Sequence, residues 1–334
     1  MGMLHLSALR MSAFFFISGM LFSTRRFGNF KDYFIHKTRV LLVPYILLSL
    51  LFLALDPVLY NFDLFPKAPR MTVMNIRPEI VTVWDYIYWN LAKIFVAGKS
   101  SIGSGPLWFV FTLYSVSLIF YGVQKIFPRR AIFFVSLASL AGGWILYANH
   151  IRLPLGIERD LTVLFFFANG WLCKGLLKGG NDNKRNALLA AATIVSFAAY
   201  AYLEVPDPNF SIMNNDLGKS LPIFVASSFF GIAGLIGAFV LADRLPNAAP
   251  VRFAKGILRN ISRNALVILA VHWSTLLVMR LLFKPEINRP GIAYLAIPVV
   301  IAVVIGAIPL FRCKLYKLLG KQKISARESL NIKD

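Results

Sequence analysis

At 334 residues the chain is long enough for two soluble domains, but 57% of it is hydrophobic, only 15% is charged, and its mean hydropathy is +0.65. A soluble globular chain carries about 25% charged residues, so this one cannot cover itself with polar side chains, and its solvent is lipid. The formal net charge of +21 does not mark a nucleic-acid protein, because most basic residues fall in short loops between apolar runs, the positive-inside pattern of a membrane chain.

A bilayer core of about 30 Å takes about 20 mostly apolar residues per helix. On that measure about nine spans are predicted, at 6–23, 40–55, 106–126, 131–148, 161–177, 187–203, 221–242, 265–283 and 292–311. Pro44 lies near the start of the second, where a missing N–H is harmless. Between the second and third, a long mixed loop reaches Gly105 and contains an amphipathic piece around 81–97. Its Trp84, Tyr86, Tyr88 and Trp89 suit a helix lying at headgroup level. The expected fold is therefore all-α, a polytopic helical bundle forming one membrane domain over 1–311, followed by a basic polar tail at 312–334. Phe165–Gly170 echoes Phe14–Gly19, although six residues are too few to argue duplication.

Loop charge orients the spans. Arg25, Arg26, Lys31, Lys37 and Arg39 follow the first; Lys125, Arg129 and Arg130 the third; Lys174, Lys178, Lys184 and Arg185 the fifth. Arg244, Arg252, Lys255, Arg259 and Arg263 follow the seventh, and Arg312, Lys314, Lys317, Lys321 and Lys323 the ninth. The alternate loops hold most of the acids, including Asp56, Asp85, Glu158, Asp160, Glu204 and Asp216. The long loop before Gly105 also carries Lys67, Arg70, Arg77, Lys93 and Lys99, but every second connection is clearly basic and is expected to be cytoplasmic, the carboxyl terminus included. With nine spans this puts Met1 outside, and nothing in Met1–Ser7 would drive its export. One further helix upstream of Met1 is the expected repair. The amino terminus lacks the basic region and cleavage site of a signal peptide.

No Walker loop, Gly-rich dinucleotide turn, HExxH or Cys cluster is present. Cys173 and Cys313 stand at ends of apolar runs, with neither a disulfide framework nor metal-ligand spacing, so no metal and no resident cofactor are expected. Chemistry must come from isolated polar residues within the bundle. Arg10 opens Arg10-Met11-Ser12-Ala13-Phe14-Phe15-Phe16-Ile17-Ser18-Gly19, and it reads either as an interfacial anchor or as the holder of an anion in a polar cavity. His272, mid-depth in the eighth span, is either a structural histidine or a base that takes and returns a hydroxyl proton. Asn169 reads as helix-to-helix glue. Trp108 alone reads as an aromatic-belt residue. His36, Lys37 and Arg39 read as positive-inside topology or as a cradle for phosphates. His5 and His150 are placed near the outer surface and are not favoured.

Arg-Met-x-x-Phe-Phe-Phe-Ile-Ser-Gly at 10–19 resembles the second-helix signature of the acyltransferase-3 family of polytopic membrane acyltransferases, in particular its glucan-succinylating branch. The basic stretch through Arg39 with Leu41-Leu42-Val43-Pro44-Tyr45 resembles the family's third-helix entry. Pro106-Leu107-Trp108-Phe109 resembles its Leu-Trp-Phe helix start, and Val271-His272 its late histidine motif. The four follow one another in the family's order across nearly the whole chain.

The resemblance implies ten helices in an intact member, and transfer of an acyl group, succinyl or acetyl, from a cytoplasmic acyl-CoA co-substrate to a sugar or glycan hydroxyl at the far face of a bacterial inner membrane. It implies that Arg10 supports the polar cavity, that His36, Lys37 and Arg39 hold the donor, that Trp108 lines the path, and that His272 sits at the reacting groups. The chain departs from the pattern in starting after the family's first helix, which carries the histidine usually held to be catalytic. It also has Pro106 and Trp273 where histidines are common, and His36 where a clean Arg-x-x-Arg would begin. A transporter or flippase, and a truncated inactive remnant, are the competing expectations.

Overall fold

The computed structural model describes residues 7–61, 73–101, 103–175, 182–204, 210–245, 248–282 and 290–313. Among them the fold is all-α, with twelve α-helices and no extended strand. They are α1 Ser7–Leu21, α2 Phe30–Lys37, α3 Val43–Asn61, α4 Val83–Phe95, α5 Trp108–Ile126, α6 Arg129–Ala148, α7 Ile157–Leu172, α8 Asn183–Glu204, α9 Leu221–Arg244, α10 Ala249–Arg263, α11 Ala265–Leu282 and α12 Pro290–Cys313.

Each of the nine predicted spans has its helix, most to within a few residues. Five helical stretches among the described residues are both long and apolar enough to cross a bilayer: Phe30–Val58, Gly105–Ile126, Arg129–Ala148, Asn183–Glu204 and Leu221–Arg244. A bent pair of α10 and α11 would add a sixth. α7 falls short because it has only 16 residues and carries Glu158, Arg159 and Asp160 in its first turn. From Thr162 to Gly170 it is buried by its neighbours, so its surroundings are protein and it need not be apolar enough for lipid. Two elements differ from the sequence reading. α2 runs through a five-residue π-helical stretch, Thr38–Leu42, directly into α3, and the basic connection after the seventh span is itself the helix α10.

The chain divides into two compact units, Met1–Phe30 with Ser115–Phe253 and Lys31–Tyr114 with Ala254–Asp334. In the first, α1 packs on α7 and α9, α6 on α7, and α8 on α9. The α1–α7 crossing is reciprocal: a Cβ on Gly19 would overlap the Phe167 carbonyl oxygen, and a Cβ on Gly170 would overlap that of Phe16. Each glycine therefore lies against the carbonyl three residues before its counterpart. Lys174 Nζ donates to the Phe22 carbonyl at 2.7 Å, so the carboxyl ends lie together and the helices run the same way. In lipid no hydrophobic force pulls helices together, and such close backbone approach is what small residues supply. The Phe-Phe-Phe-x-x-Gly echo is thus the two halves of one contact.

Polar side chains complete this unit. Thr162 Oγ1 donates to Asn215 Oδ1 at 2.8 Å, and Asn215 Nδ2 to the Gly143 carbonyl at 2.9 Å. Asn169 Nδ2 reaches Ser136 Oγ on α6 at 3.2 Å, the interhelical bond expected of it. Arg159 and Asp160 are both buried, with Nε and Oδ1 3.7 Å apart, and Ser115 Oγ donates to the same carboxyl group.

The second unit has a core in which Tyr45, Leu48 and Phe52 of α3, Tyr86 and Ile94 of α4, Val110 and Phe111 of α5, and Val267, Ala270 and Leu277 of α11 meet. Gly19→Ala and Gly170→Ala should each destabilise the protein by about 1–3 kcal/mol, the range for overpacking. Their thermal midpoints in detergent should fall, while that of Gly122→Ala, whose Cβ meets open space on α5, should not. Equal midpoints for all three would remove the crossing from this account.

Candidate functional site

The second unit gathers its polar groups around the connection from α4 to α5. α4 begins at Thr82 with a reciprocal cap: Asp85 N donates to Thr82 Oγ1 at 3.2 Å and Thr82 N to Asp85 Oδ2 at 2.9 Å. These bonds hold the Asp85 carboxyl below its ordinary range. Helical spacing then splits the aromatic residues. Trp84 and Tyr88, one turn apart, are exposed, while Tyr86, Asn90 and Ile94 face inward. Tyr86 is therefore turned into the protein and not outward like Trp84 and Tyr88. Its hydroxyl donates to Asp56 Oδ2 at 3.0 Å, and burial beside that carboxyl pushes the phenol's pKa up, so it stays a donor.

Asp56 is 0% exposed, one residue before Pro57 near the end of α3. Its other oxygen occupies the space a Cβ would take at Gly103, so residue 103 must be glycine for the carboxyl to sit there. The loop is held at several points. The Tyr45 hydroxyl reaches the carbonyls of Ile94 and Lys99 at 2.9 and 2.7 Å, Ser100 Oγ donates to the Gly105 carbonyl, and Ser101 Oγ and Ser104 Oγ lie 2.9 Å apart.

α11 closes the site. Ser274 Oγ donates to the Gly103 carbonyl at 3.4 Å, and the Trp273 indole fills the space over Gly105, whose φ of +36° and missing Cβ both suit glycine. Trp108, just beyond, is 5% exposed, so it is a buried residue and not part of a lipid-facing belt. His272 is half-buried on α11, with Nδ1 2.7 Å from the Ile268 carbonyl. A carbonyl only accepts, so the hydrogen bond places a proton on Nδ1 and leaves Nε2 as the ring nitrogen facing away from the backbone. The Leu-Trp-Phe and Val-His motifs, far apart in the chain, thus flank one glycine-serine turn.

The cationic residues lie elsewhere in this unit, at the α2–π–α3 junction. His36 and Arg39 are exposed, and Lys37 Nζ stands 5.5 Å over the buried Tyr33 ring. Thr38 Oγ1 is 3.1 Å from the Tyr114 hydroxyl, about 9 Å along α5 from Trp108 at 1.5 Å per residue. A π-helical stretch inside a helix is frequent at functional sites. Arg10 belongs to the first unit. It is exposed on α1, its charge acts on the buried Tyr200 hydroxyl, and that hydroxyl bonds Glu204. His5 lies outside the described residues, and His150 is exposed. Among the described residues no group of three or more His, Cys, Asp or Glu is placed to hold a metal.

Asp56, Tyr86 and Gly103 escape sequence reading. The signals were an Asp-Pro at the end of an apolar run and the small-residue string Ser100–Gly105, both of which pass for loop.

These features define an integral membrane protein built as an all-α polytopic bundle, with a polar cluster around Asp56 buried in its second unit. Residues 3–311 match the family model described as an acyltransferase domain, and the chain belongs to that family, the acyltransferase-3 proteins. No curated protein and no solved structure matches it.

Tyr86→Phe removes one hydrogen bond from the buried Asp56 carboxyl and should cost about 1–3 kcal/mol, read as a lower thermal midpoint; an unchanged midpoint would mean that the bond contributes nothing to stability. The half-buried Lys93 gives a pH signature. Desolvation pushes its pKa down to about 8, against the attraction of Asp56. Between about 8 and the ordinary 10.5 the unfolded chain binds more protons at this lysine than the folded one. Its contribution to stability therefore rises with pH across that window. Lys93→Met should flatten that rise in thermal midpoints taken from pH 7.5 to 10.5.

Proposed function

We propose that this acyltransferase moves a succinyl or acetyl group from a cytoplasmic acyl-CoA to a hydroxyl of a periplasmic or envelope glycan, in a bacterial inner membrane with the basic loops and carboxyl terminus in the cytoplasm. The observation that carries the reading is His272, whose Nδ1 is tied to the Ile268 carbonyl so that Nε2 is the free basic atom on a helix packed against the serine-glycine turn. Nε2 takes the acceptor proton as the hydroxyl oxygen bonds to the thioester carbonyl carbon. The carbon–sulfur bond then breaks, and the imidazolium returns its proton to the departing CoA thiolate. Serine hydroxyls and backbone N–H groups of the turn are proposed as the donors for the developing oxyanion.

His36, Lys37 and Arg39 are the proposed partners of the CoA phosphates, a role clustered cations suit. Trp108, buried beside the turn, is proposed to line the donor path. Arg10, in the first unit, supplies positive charge beside Tyr200 and Glu204, and support of a polar cavity there is its proposed role.

Membrane vesicles given radiolabelled acyl-CoA and a glycan acceptor test this. Label should enter the glycan, and His272→Ala should lower its rate by about 10²–10⁴-fold, the range for a lost general base. Unmodified solute crossing the membrane without label transfer would instead establish a transporter.

A further inference from the structure

The helix α10, Ala249–Arg263, has no part in the chemistry above. At 100° per residue, Arg252, Lys255, Arg259 and Arg263 fall within an arc of roughly 80°. Phe253, Ile257, Ile261 and Leu258 occupy the opposite side. The helix carries no acidic residue. Phe253 is 72% exposed, and Ile257, Leu258 and Ile261 are each about half exposed, so no described part of the chain covers the apolar face. At its end the chain turns by 82° into the apolar helix α11.

Two readings of that geometry compete. If α10 and α11 were one bent span, Lys255, Arg259 and Arg263 would lie in hydrocarbon, at about 2.5–3.5 kcal/mol each near the centre. If α11 crosses the membrane, a turn of 82° lays α10 close to the membrane plane. There the apolar face can sink into the acyl boundary while the cations stay among the headgroups. A face with four cations and no acid is complementary to anionic lipid.

We propose that α10 is an in-plane helix docked on the leaflet at the basic side of the protein, and that its Arg252, Lys255, Arg259 and Arg263 bind anionic phospholipid headgroups. This holds whatever group the protein transfers.

The full-length protein in lipid nanodiscs tests both parts. Nitroxide labels are placed one at a time from 252 to 262 in a Cys173→Ser, Cys313→Ser background. Collision with oxygen, which concentrates in hydrocarbon, should peak at 253, 257, 258 and 261, and collision with a water-soluble nickel chelate at 252, 255 and 259. A flat profile, or an apolar face shielded from both reagents as a covering protein would leave it, overturns the surface placement. For the headgroups, discs of phosphatidylcholine and phosphatidylglycerol carry a spin-labelled trace of either lipid. Lys255→Gln with Arg259→Gln should lower the association of phosphatidylglycerol at least about threefold and leave phosphatidylcholine unchanged, and raised salt should do the same to the unsubstituted protein. Phosphatidylglycerol association insensitive to both the substitutions and salt overturns the headgroup assignment.

Discussion

Hydrocarbon gives a polar group nothing to bond to, so the backbone of a membrane chain must find its partners within the chain, and an unpaired side chain there is costly. That requirement organises both units. Lipid tails are as apolar as leucine, so helices are not squeezed together by the hydrophobic effect and must be joined by close fit and shared hydrogen bonds. The α1–α7 crossing supplies the fit, bringing two backbones so near that only hydrogen is tolerated at Gly19 and Gly170. Thr162, Asn215 and Ser139 supply the bonds; Ser139 Oγ donates across to the Leu161 carbonyl at 2.7 Å.

The same requirement gives the polar centre of the second unit its rigidity. A carboxyl at 0% exposure persists only where other elements are shaped around it. Here the phenol of Tyr86 comes from α4 and the empty side-chain position of Gly103 from the loop. Ser274 then ties that loop to the helix bearing His272. Asp56 does not need to touch a substrate to matter, because it fixes the turn on which Trp273 and Trp108 converge. The Tyr45 hydroxyl holds the same loop from the other side. Three helices and one loop therefore meet at a single carboxyl and the turn beside it.

How much of this the sequence carries depends on the length scale of the signal. Span positions are legible because an apolar run long enough to cross a bilayer is an additive property of many residues, and α5, α6 and α9 begin and end within a few residues of expectation. The continuity of α2 with α3 is not legible. Asp32, His36, Lys37 and Arg39 look like loop polarity, and the π-helical stretch that carries the chain past them leaves no composition of its own. α10 hides in a different way. Its charge shows in composition, but the angular order of its residues around a helix holds the information. Tyr86 was grouped with its aromatic neighbours by composition, and only its position two residues from Trp84 and from Tyr88 shows that it faces the other way. The motifs at Leu107–Phe109 and Val271–His272 were legible as fragments, and their meeting across Gly105 is a property of the fold alone.

The choice between acyl transfer and transport turns on how the polar centre is built. Transporters that hold solute near the midplane typically break their helices there, so that unwound carbonyls and half-helix ends face the substrate. α11 does the opposite. It is helical through His272, and the ring nitrogen facing the helix is occupied by the Ile268 carbonyl of the turn below. That bond fixes the tautomer and leaves one lone pair directed away from the backbone, an arrangement suited to moving a proton at one atom. The Ser100–Gly105 turn next to it is held by Tyr45, by its own serines and by Ser274. A gate must have two arrangements of similar free energy, and a turn fastened by so many independent bonds favours one. A rigid turn fastened to the helix that carries this imidazole suits pre-organised chemistry better than gating.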